Sequence, residues 1–267
     1  MKVADCWVHP IKSLAGFKVP RLTFDQKGPE EDRRFMLVDD RGKFVTQRQK
    51  SQLSQVNVQP EPSAYLLTSP DGTNTLRLNK IGAEGKRIPS RVWEDALDLY
   101  DQGDEAARFF STICEQSVRL VYQSAACQRS IDPDYDNANR EVSLADGFPV
   151  LLINQASIDV LTNDYGRLIL PERFRANILV SGLDAFEENT FREITIGEQV
   201  FEVVKPCSRC VIPTIDPKTG IKEPKVWQTL KKHCLGEDGQ IYFGQNLIPK
   251  NRSQVRQGDA VFVVERQ

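Results

Sequence analysis

Apolar residues in this 267-residue chain recur mostly at every second position, in short runs separated by turn-forming residues. This alternation is typical of β-strands with one buried face. Residues 34–46 and 64–78 each contain two such runs around a turn that ends in glycine, at Gly42 and Gly72, which predicts two hairpins. Residues 97–100 add a further alternating strand. The pattern predicts strands arranged as a barrel or sandwich.

Three segments depart from this alternation. Residues 103–114 repeat their apolar side chains at helical spacing and carry two acidic residues in the first turn, which predicts a helix. Residues 156–165 and 222–234 are predicted as two more helices. The fold class is therefore predicted as mostly β with a few helices (α+β).

One polar segment separates the two halves of the chain. Residues 130–139 are rich in turn-forming residues and poor in apolar ones, and the apolar run 150–153 follows. A length of 267 residues allows one domain or two. We predict two domains, residues 1–125 and residues 126–267.

Composition excludes several classes of protein. The net charge of -2 argues against nucleic acid as a partner, and no apolar run approaches the roughly 18 residues that a membrane-spanning helix needs. The first seven residues contain an acid and no secretory signal pattern, so a cytoplasmic location is expected. Six cysteines are too few for a disulfide scaffold of this length.

The most informative local pattern is a pair of cysteines, Cys207 and Cys210, beside basic residues at the end of a predicted strand. A structural zinc site needs further ligands, for which only His233 and Cys234 are available. A thioredoxin-like dithiol needs a helix after the first cysteine, which two nearby prolines disfavour. The remaining interpretations are a turn without chemistry and a single thiolate ligand to a cofactor metal, supported by the other cysteine.

Three clusters of hydrogen-bond donors in distant parts of the chain could each bind an anion. They are Lys12 with Ser13 after the first strand, Arg33 with Arg48 beside two paired strands, and Arg175 with Asn177 before a later strand. The arginine and asparagine of the last cluster are expected on the same face of that strand. Exposed turns and surface ion pairs are the alternative for every cluster.

Taken in order, these segments resemble the molybdenum-cofactor sulfurase C-terminal (MOSC) superfamily, in the branch of YcbX and the mitochondrial amidoxime-reducing components. Residues 9–13 resemble the opening motif of that branch, Asp32 with Arg33 its second motif, and residues 45–49 its third, with Gln47 in place of alanine. The resemblance continues at residues 146–157, 173–177, 205–210 and 243–246. Ala176 stands where the branch usually has proline.

This resemblance implies an N-terminal MOSC_N β-barrel domain and a β-barrel-like MOSC domain, with the molybdenum cofactor (Mo-molybdopterin) held between them. It implies that Cys210 is the molybdenum ligand and the catalytic residue, while Cys207 has a supporting role. The remaining cofactor-binding residues that it implies are Lys12, Ser13, Arg33, Arg48, Asp146, Arg175, Asn177, Ser208 and Arg209.

The resemblance further implies reduction of small N-hydroxylated substrates, such as amidoximes and N-hydroxylated bases, by removal of an oxygen atom. The cysteine signature of the [2Fe-2S] domain found in many YcbX-type relatives is absent from this sequence. No Fe-S cluster is therefore expected in this chain, and electrons are expected from a separate flavoprotein reductase, ferredoxin or cytochrome-like protein. Neither nucleic acid nor a membrane is an expected partner.

Two other functions stay open. A sulfur carrier or sulfurtransferase would hold a persulfide on Cys210, and a non-catalytic cofactor carrier would bind the pterin without turnover. For two polar residues we favour a structural interpretation over a functional one. Asp216 is more readily a turn carboxylate than a proton donor, and His9 a packed turn residue.

Overall fold

The computed structural model describes residues 1–266, which form a chain of β-strands with three α-helices. The strands of the first half are β1 (Lys2–Val8), β2 (Phe17–Val19), β3 (Arg21–Asp25), β4 (Gly28–Pro29), β5 (Phe35–Val38), β6 (Phe44–Val45), β7 (Asn57–Pro60), β8 (Ala64–Thr68), β9 (Thr75–Asn79), β10 (Arg87–Val92), β11 (Asp95–Asp101) and β12 (Arg119–Tyr122). Those of the second half are β13 (Val150–Asn154), β14 (Ile178–Ser181), β15 (Phe191–Ile196), β16 (Gln199–Ser208), β17 (Tyr242–Pro249), β18 (Gln254–Arg256) and β19 (Val261–Arg266). The helices are α1 (Gly103–Cys114), α2 (Gln155–Tyr165) and α3 (Pro224–Cys234).

The fold class, mostly β with a few helices, is confirmed, as are both hairpins. β5 pairs with β6 and β8 pairs with β9, each around the glycine that the sequence indicated. Gly42 and Gly72 both have positive φ, the backbone conformation that glycine adopts at little cost. The third helix begins at Pro224, two residues later than predicted, because proline is well suited to the first helical position.

The largest sheet combines strands from both halves of the chain. It has eight strands in the order β19-β15-β16-β17-β13-β14-β1-β2. β1 pairs antiparallel with β14, so that Cys6 lies opposite Ile178. The first strand thus completes a sheet that the second half builds, and the division into domains at residues 125 and 126 stays a prediction.

The first half also builds its own sheets. β10-β11-β12-β5-β6 form a five-stranded sheet, and β7-β8-β9 form a three-stranded sheet. Helix α1 packs against β12 and β9. The apolar side chains between these elements form a core that includes Phe35, Tyr65 and Phe110. A further small sheet, β18-β3-β4, again joins the two halves.

Strand β13 separates two cores of the second half. Leu152 lies in a core within the large sheet, beside Ile178 and Phe201. Its neighbour Ile153 lies in the opposite core, where α2 and α3 cover the sheet together with Phe174. This division follows from the alternation of side chains along a strand. It explains why the run 150–153 is apolar throughout: both faces of this strand are buried.

Across residues 1–266, no helix is long and apolar enough to cross a membrane.

Replacement of Leu152 by alanine tests the importance of the shared sheet. Leu152 is fully buried between strands from both halves, so truncation leaves a cavity there. We expect the free energy of unfolding to fall by about 2 to 5 kcal/mol, measured by denaturant titration. The matched control is Leu168→Ala, because Leu168 is 68% exposed, and its effect should stay below about 0.5 kcal/mol. Equal effects of the two replacements would contradict this account of the core.

Candidate functional site

A cleft lies where the loops of the first half meet the strand ends of the second half. It contains all ten side chains that the sequence analysis assigned to a cofactor: Lys12, Ser13, Arg33, Arg48, Asp146, Arg175, Asn177, Ser208, Arg209 and Cys210. These residues come from segments far apart in the sequence, which only the folded chain brings together. Their role in binding stays a prediction.

Three of the residues in this cleft have a left-handed backbone. The φ angles are 72° for Ser13, 49° for Arg33 and 56° for Arg175. For residues other than glycine this conformation costs about 1 to 3 kcal/mol, and it persists only where the surrounding structure imposes it. The sequence analysis expected Arg175 and Asn177 on the same face of a strand, and this expectation was wrong. Arg175 ends a 3₁₀ turn and does not lie in a strand, although both residues line the cleft.

Asp32 anchors the basic residues of the cleft. Its carboxylate is fully buried, accepts a hydrogen bond from the backbone N–H of His9 at 2.8 Å and forms an ion pair with Arg33. The Arg33 guanidinium also donates to the side-chain oxygen of Asn177 at 3.2 Å and to the carbonyl of Arg175 at 2.6 Å. One ion pair therefore connects the first strand, the loop before β5 and the loop before β14.

Arg175 is a cation of the cleft whose hydrogen-bonding capacity is only partly used. Its Nη1 donates to the carbonyl of Leu14, while its Nη2 is buried and has no hydrogen-bond partner within residues 1–266. Burial and the nearby charge of Arg33 lower the pKa of Arg175 to about 9, so the guanidinium is still protonated at neutral pH. A buried cation with an unused donor is suited to an anionic ligand.

Lys12 and Asp146 form a second ion pair at the cleft, with 2.6 Å between Nζ and Oδ1. Burial lowers the pKa of Lys12, and Asp146 only partly offsets this effect. Although partial burial raises the pKa of Asp146, its attraction and hydrogen bond to Lys12 lower that pKa well below its usual range. Five basic side chains and one carboxylate line the cleft, which is therefore positively charged.

The two cysteines of the motif differ in their environment. The Arg209 guanidinium donates to Cys207 Sγ at 3.1 Å and to the carbonyl of Phe174 at 2.8 Å. Cys210 is half-buried and outside any disulfide, and its thiol has no hydrogen-bond partner in the described part of the chain. It is thus the thiol that remains open to a ligand in the cleft.

The alternative metal and dithiol sites receive no support from the geometry. Within residues 1–266 there is no group of three or more histidine, cysteine, aspartate or glutamate side chains that could hold a metal ion. Cys234 is buried in α3, and burial raises its thiol pKa to about 12. Only a short 3₁₀ turn, Ile212–Thr214, follows Cys210, so no helix dipole acts on the thiols there.

His9 and Asp216 both make contacts that fit the structural interpretation. His9 is buried, with Nε2 at 3.1 Å from the carbonyl of Ala176, and its ring leaves no room for a side chain at Gly16. Asp216 accepts hydrogen bonds from Arg173 and from the backbone N–H of Lys218. Neither His9 nor Asp216 lines the cleft.

Sequence reasoning missed one residue at the border of the cleft, Trp93. It occupies the two-residue turn between β10 and β11, with φ of 53°, where glycine or asparagine is usual. Its indole N–H donates to Asp146 at 3.3 Å, and its ring lies 4.7 Å from the guanidinium carbon of Arg48. A tryptophan in a tight turn was the signal that could have revealed it.

Fold and site together define a two-part β protein with a basic cleft and an open thiol between its parts. Residues 1–117 match the family of the MOSC N-terminal beta barrel domain, and residues 139–262 match that of the MOSC domain. The chain belongs to the MOSC superfamily, in the branch of the mitochondrial amidoxime-reducing components.

Three relatives illustrate this relationship. Mitochondrial amidoxime reducing component 2 of Rattus norvegicus is 32% identical over 280 residues, and that of Bos taurus is 30% identical over 279 residues. Each match covers 97% of this chain and 82% of the relative. Molybdenum cofactor sulfurase of Drosophila mojavensis is 31% identical over 244 residues, which cover 89% of this chain and 30% of that protein.

Replacement of Arg175 by methionine should stabilise the cofactor-free protein. The change removes a buried cation that Arg33 repels and that lacks one hydrogen-bond partner. We expect the free energy of unfolding to rise by about 1 kcal/mol in denaturant titrations. Arg192→Met is the matched control, because Arg192 is exposed and pairs with Glu265, and its effect should be below about 0.5 kcal/mol. A clear loss of stability in Arg175→Met would contradict this prediction, because it would show that contacts with the rest of the protein fully offset the cost of burying the cation.

The buried His9 should make folding stability depend on pH. Burial and the charges of Arg33 and Arg175 lower the pKa of His9 well below 6.5, so below that pH the unfolded chain takes up a proton that the folded chain does not. Stability therefore falls as the pH falls, by about 2 kcal/mol from this group between pH 7 and pH 5. Denaturant titrations should show a flatter pH dependence for His9→Gln than for the parent. Parallel slopes for the parent and His9→Gln would refute the assignment.

Proposed function

We propose that this protein is a molybdenum-cofactor-dependent reductase of N-hydroxylated compounds, in which Cys210 is the ligand of molybdenum. The observation that carries this proposal is the convergence of ten residues from distant segments on one basic cleft that contains an open thiol. The names of the relatives, amidoxime reducing component and molybdenum cofactor sulfurase, support the same chemistry.

The residues of the cleft fit the molybdenum cofactor. Its phosphate requires cationic donors, and the free Nη2 of Arg175 is available for it, while Lys12 and Arg33 add positive charge beside it although both already donate to protein acceptors. A soft thiolate is a suitable protein ligand for a metal that also binds the sulfur atoms of the pterin, and Cys210 can supply it. When bound, the cofactor supplies the two-electron chemistry that removes an oxygen atom from the substrate.

The protein itself contributes orientation and proton balance. The backbone N–H of Arg209 donates to the carbonyl of Ile241 at 2.7 Å and its guanidinium to the carbonyl of Phe174, which together hold the turn that presents Cys210. Lys12 holds a proton at Nζ beside the cleft, and its lowered pKa makes release of that proton easier than from an exposed lysine. Asp146 stays ionised and keeps this ammonium group in position.

The reduction also needs electrons from outside the cleft. We propose that they come from a separate donor protein, namely a flavoprotein reductase, a ferredoxin or a cytochrome-like protein. The relatives are named as components, which fits a protein that works with others.

A second function, sulfur transfer, is favoured by the similarity to molybdenum cofactor sulfurase and by the open thiol of Cys210. In that case Cys210 would carry a persulfide, and the basic cleft would bind the acceptor. A mass increase of one sulfur on Cys210 that a reductant removes would identify this function.

Metal and pterin content test the proposal directly. The parent, Cys210→Ala and Cys207→Ala should be purified from a host that makes the cofactor, and molybdenum and oxidised pterin measured per chain. We expect stoichiometric metal and pterin in the parent, and at least a tenfold loss of metal in Cys210→Ala because its thiolate ligand is removed. Cys207→Ala serves as the matched control, since its thiol already accepts a hydrogen bond from Arg209, and it should retain the metal.

Two results would refute the assignment. A folded parent without pterin and metal would exclude the cofactor, and unchanged metal in Cys210→Ala would exclude this ligand. With the loaded parent, reduction of benzamidoxime to benzamidine by a chemical electron donor should be lost in Cys210→Ala.

A further inference from the structure

A second cavity, which we call the side cavity, adjoins the cleft. It has a volume of about 670 Å³, within the range of small-molecule binding sites. Asp146, Gly147 and Phe148 line both the cleft and the side cavity, so the two lie side by side. A molecule that occupied both would contact these three residues.

The walls of the side cavity are aromatic. Trp93, Tyr135 and Phe148 all line it, and the rings of Tyr135 and Phe148 meet edge to face at 5.6 Å. The ammonium group of Lys205 lies 4.0 Å from the centre of the Tyr135 ring, so a cation of the protein itself contacts part of this wall. Flat π-systems pack well against such walls.

Trp93 stands at the junction of the cleft and the side cavity. Its ring is held by the edge of Phe44 at 5.2 Å, by Arg48 at 4.7 Å and by the hydrogen bond to Asp146. Even so, Trp93 is 45% exposed, and its backbone has the left-handed φ that bulky residues rarely adopt. The two-residue hairpin turn requires this φ, but it does not require a tryptophan at this position. The exposed ring of Trp93 is therefore available to a ligand.

The charge of the side cavity is opposite to that of the cleft. Four carboxylates line it, Glu94, Asp95, Asp132 and Asp146, of which Asp95 pairs with Arg129 at 2.7 Å and Asp146 pairs with Lys12 at 2.6 Å. The carboxylates of Glu94 and Asp132 remain, against Lys205 as the only other basic lining residue in the described chain. The side cavity therefore favours uncharged or cationic groups over anions, whereas the cleft favours anions.

We propose that the side cavity binds the non-reacting part of the substrate, a planar uncharged or cationic group, and that Trp93 is its specificity-determining residue. That the bound molecule is a substrate rests on the proposed function. The binding preference of the side cavity does not rest on that function, because it follows from the aromatic walls and the charge of the cavity.

Binding measurements test this inference independently of turnover. Benzamidine and benzoate are matched planar probes of opposite charge, and calorimetry with the protein as purified measures their dissociation constants, whether or not it carries the cofactor. We expect benzamidine to bind with about tenfold lower affinity to Trp93→Asn than to the parent, and Trp93→Phe to recover most of the affinity. Benzoate binding should not depend on residue 93. Asparagine tolerates the left-handed turn, so Trp93→Asn should fold at least as stably as the parent.

The control is Phe262→Ala, which removes another exposed aromatic side chain, on the edge strand β19 and outside both cavities. It should bind benzamidine like the parent. The inference is overturned if the purified parent does not bind benzamidine, if Trp93→Asn binds it equally well, or if benzoate binds more tightly than benzamidine in a manner that depends on Trp93.

Turnover provides the second readout. For the loaded enzyme, the ratio of kcat/KM for benzamidoxime to that for acetamidoxime should fall about tenfold in Trp93→Asn, through a higher KM for the aromatic substrate. Phe262→Ala should retain the parent ratio. If the parent reduces neither compound, the proposed function fails while the benzamidine measurement still decides the side cavity. If the parent reduces both and the ratio is unchanged in Trp93→Asn, only the present inference fails.

Discussion

The buried ion pair of Asp32 and Arg33 is the interaction on which the site depends. Positive groups from separate segments crowd the cleft, and their mutual repulsion would open it if no buried carboxylate opposed them. Asp32 opposes them, while Arg33 binds the oxygen of Asn177 and the backbone of Arg175. The excess positive charge that remains is unfavourable for the folded chain alone and becomes favourable when an anion is bound.

The shared eight-stranded sheet makes this arrangement possible. Because β1 lies beside β14, the turn that carries Lys12 and Ser13 reaches the strand ends of the second half. Large apolar cores on both faces of β13 stabilise this sheet, and the strained residues of the cleft draw on that stability. The left-handed backbones of Ser13, Arg33 and Arg175 are therefore a property of the site and are maintained by packing elsewhere.

The cysteine thiols lie in two different environments. Burial raises the pKa of Cys6 and Cys234 to about 12 and that of Cys114 to about 11, so these three thiols stay protonated at neutral pH. Cys207 and Cys210 lie instead in a cleft rich in guanidinium groups. The two thiols of the cleft thus lie together at one end of one strand, away from the three buried ones.

The local elements, and the identity of the residues that line the site, follow from the sequence alone. Both hairpins and the helix α1 follow from the period of apolar residues and from glycine turns, which are local properties. The order of short motifs was sufficient to indicate the superfamily and ten residues that share a cleft. The prediction of the local elements and that of the site residues did not depend on knowing which strands are neighbours.

The way in which these elements and residues come together depends on the tertiary structure. The pairing of β1 with β14 joins residues that are more than 170 positions apart, and no local pattern encodes such a contact. The orientation of Arg175 depends on a left-handed backbone that surrounding contacts impose. Strand periodicity therefore predicted correctly that Arg175 and Asn177 lie close together, but for the wrong reason. Trp93 acquires its place beside Asp146 in the same way, because the turn that holds it packs against a loop about fifty residues away.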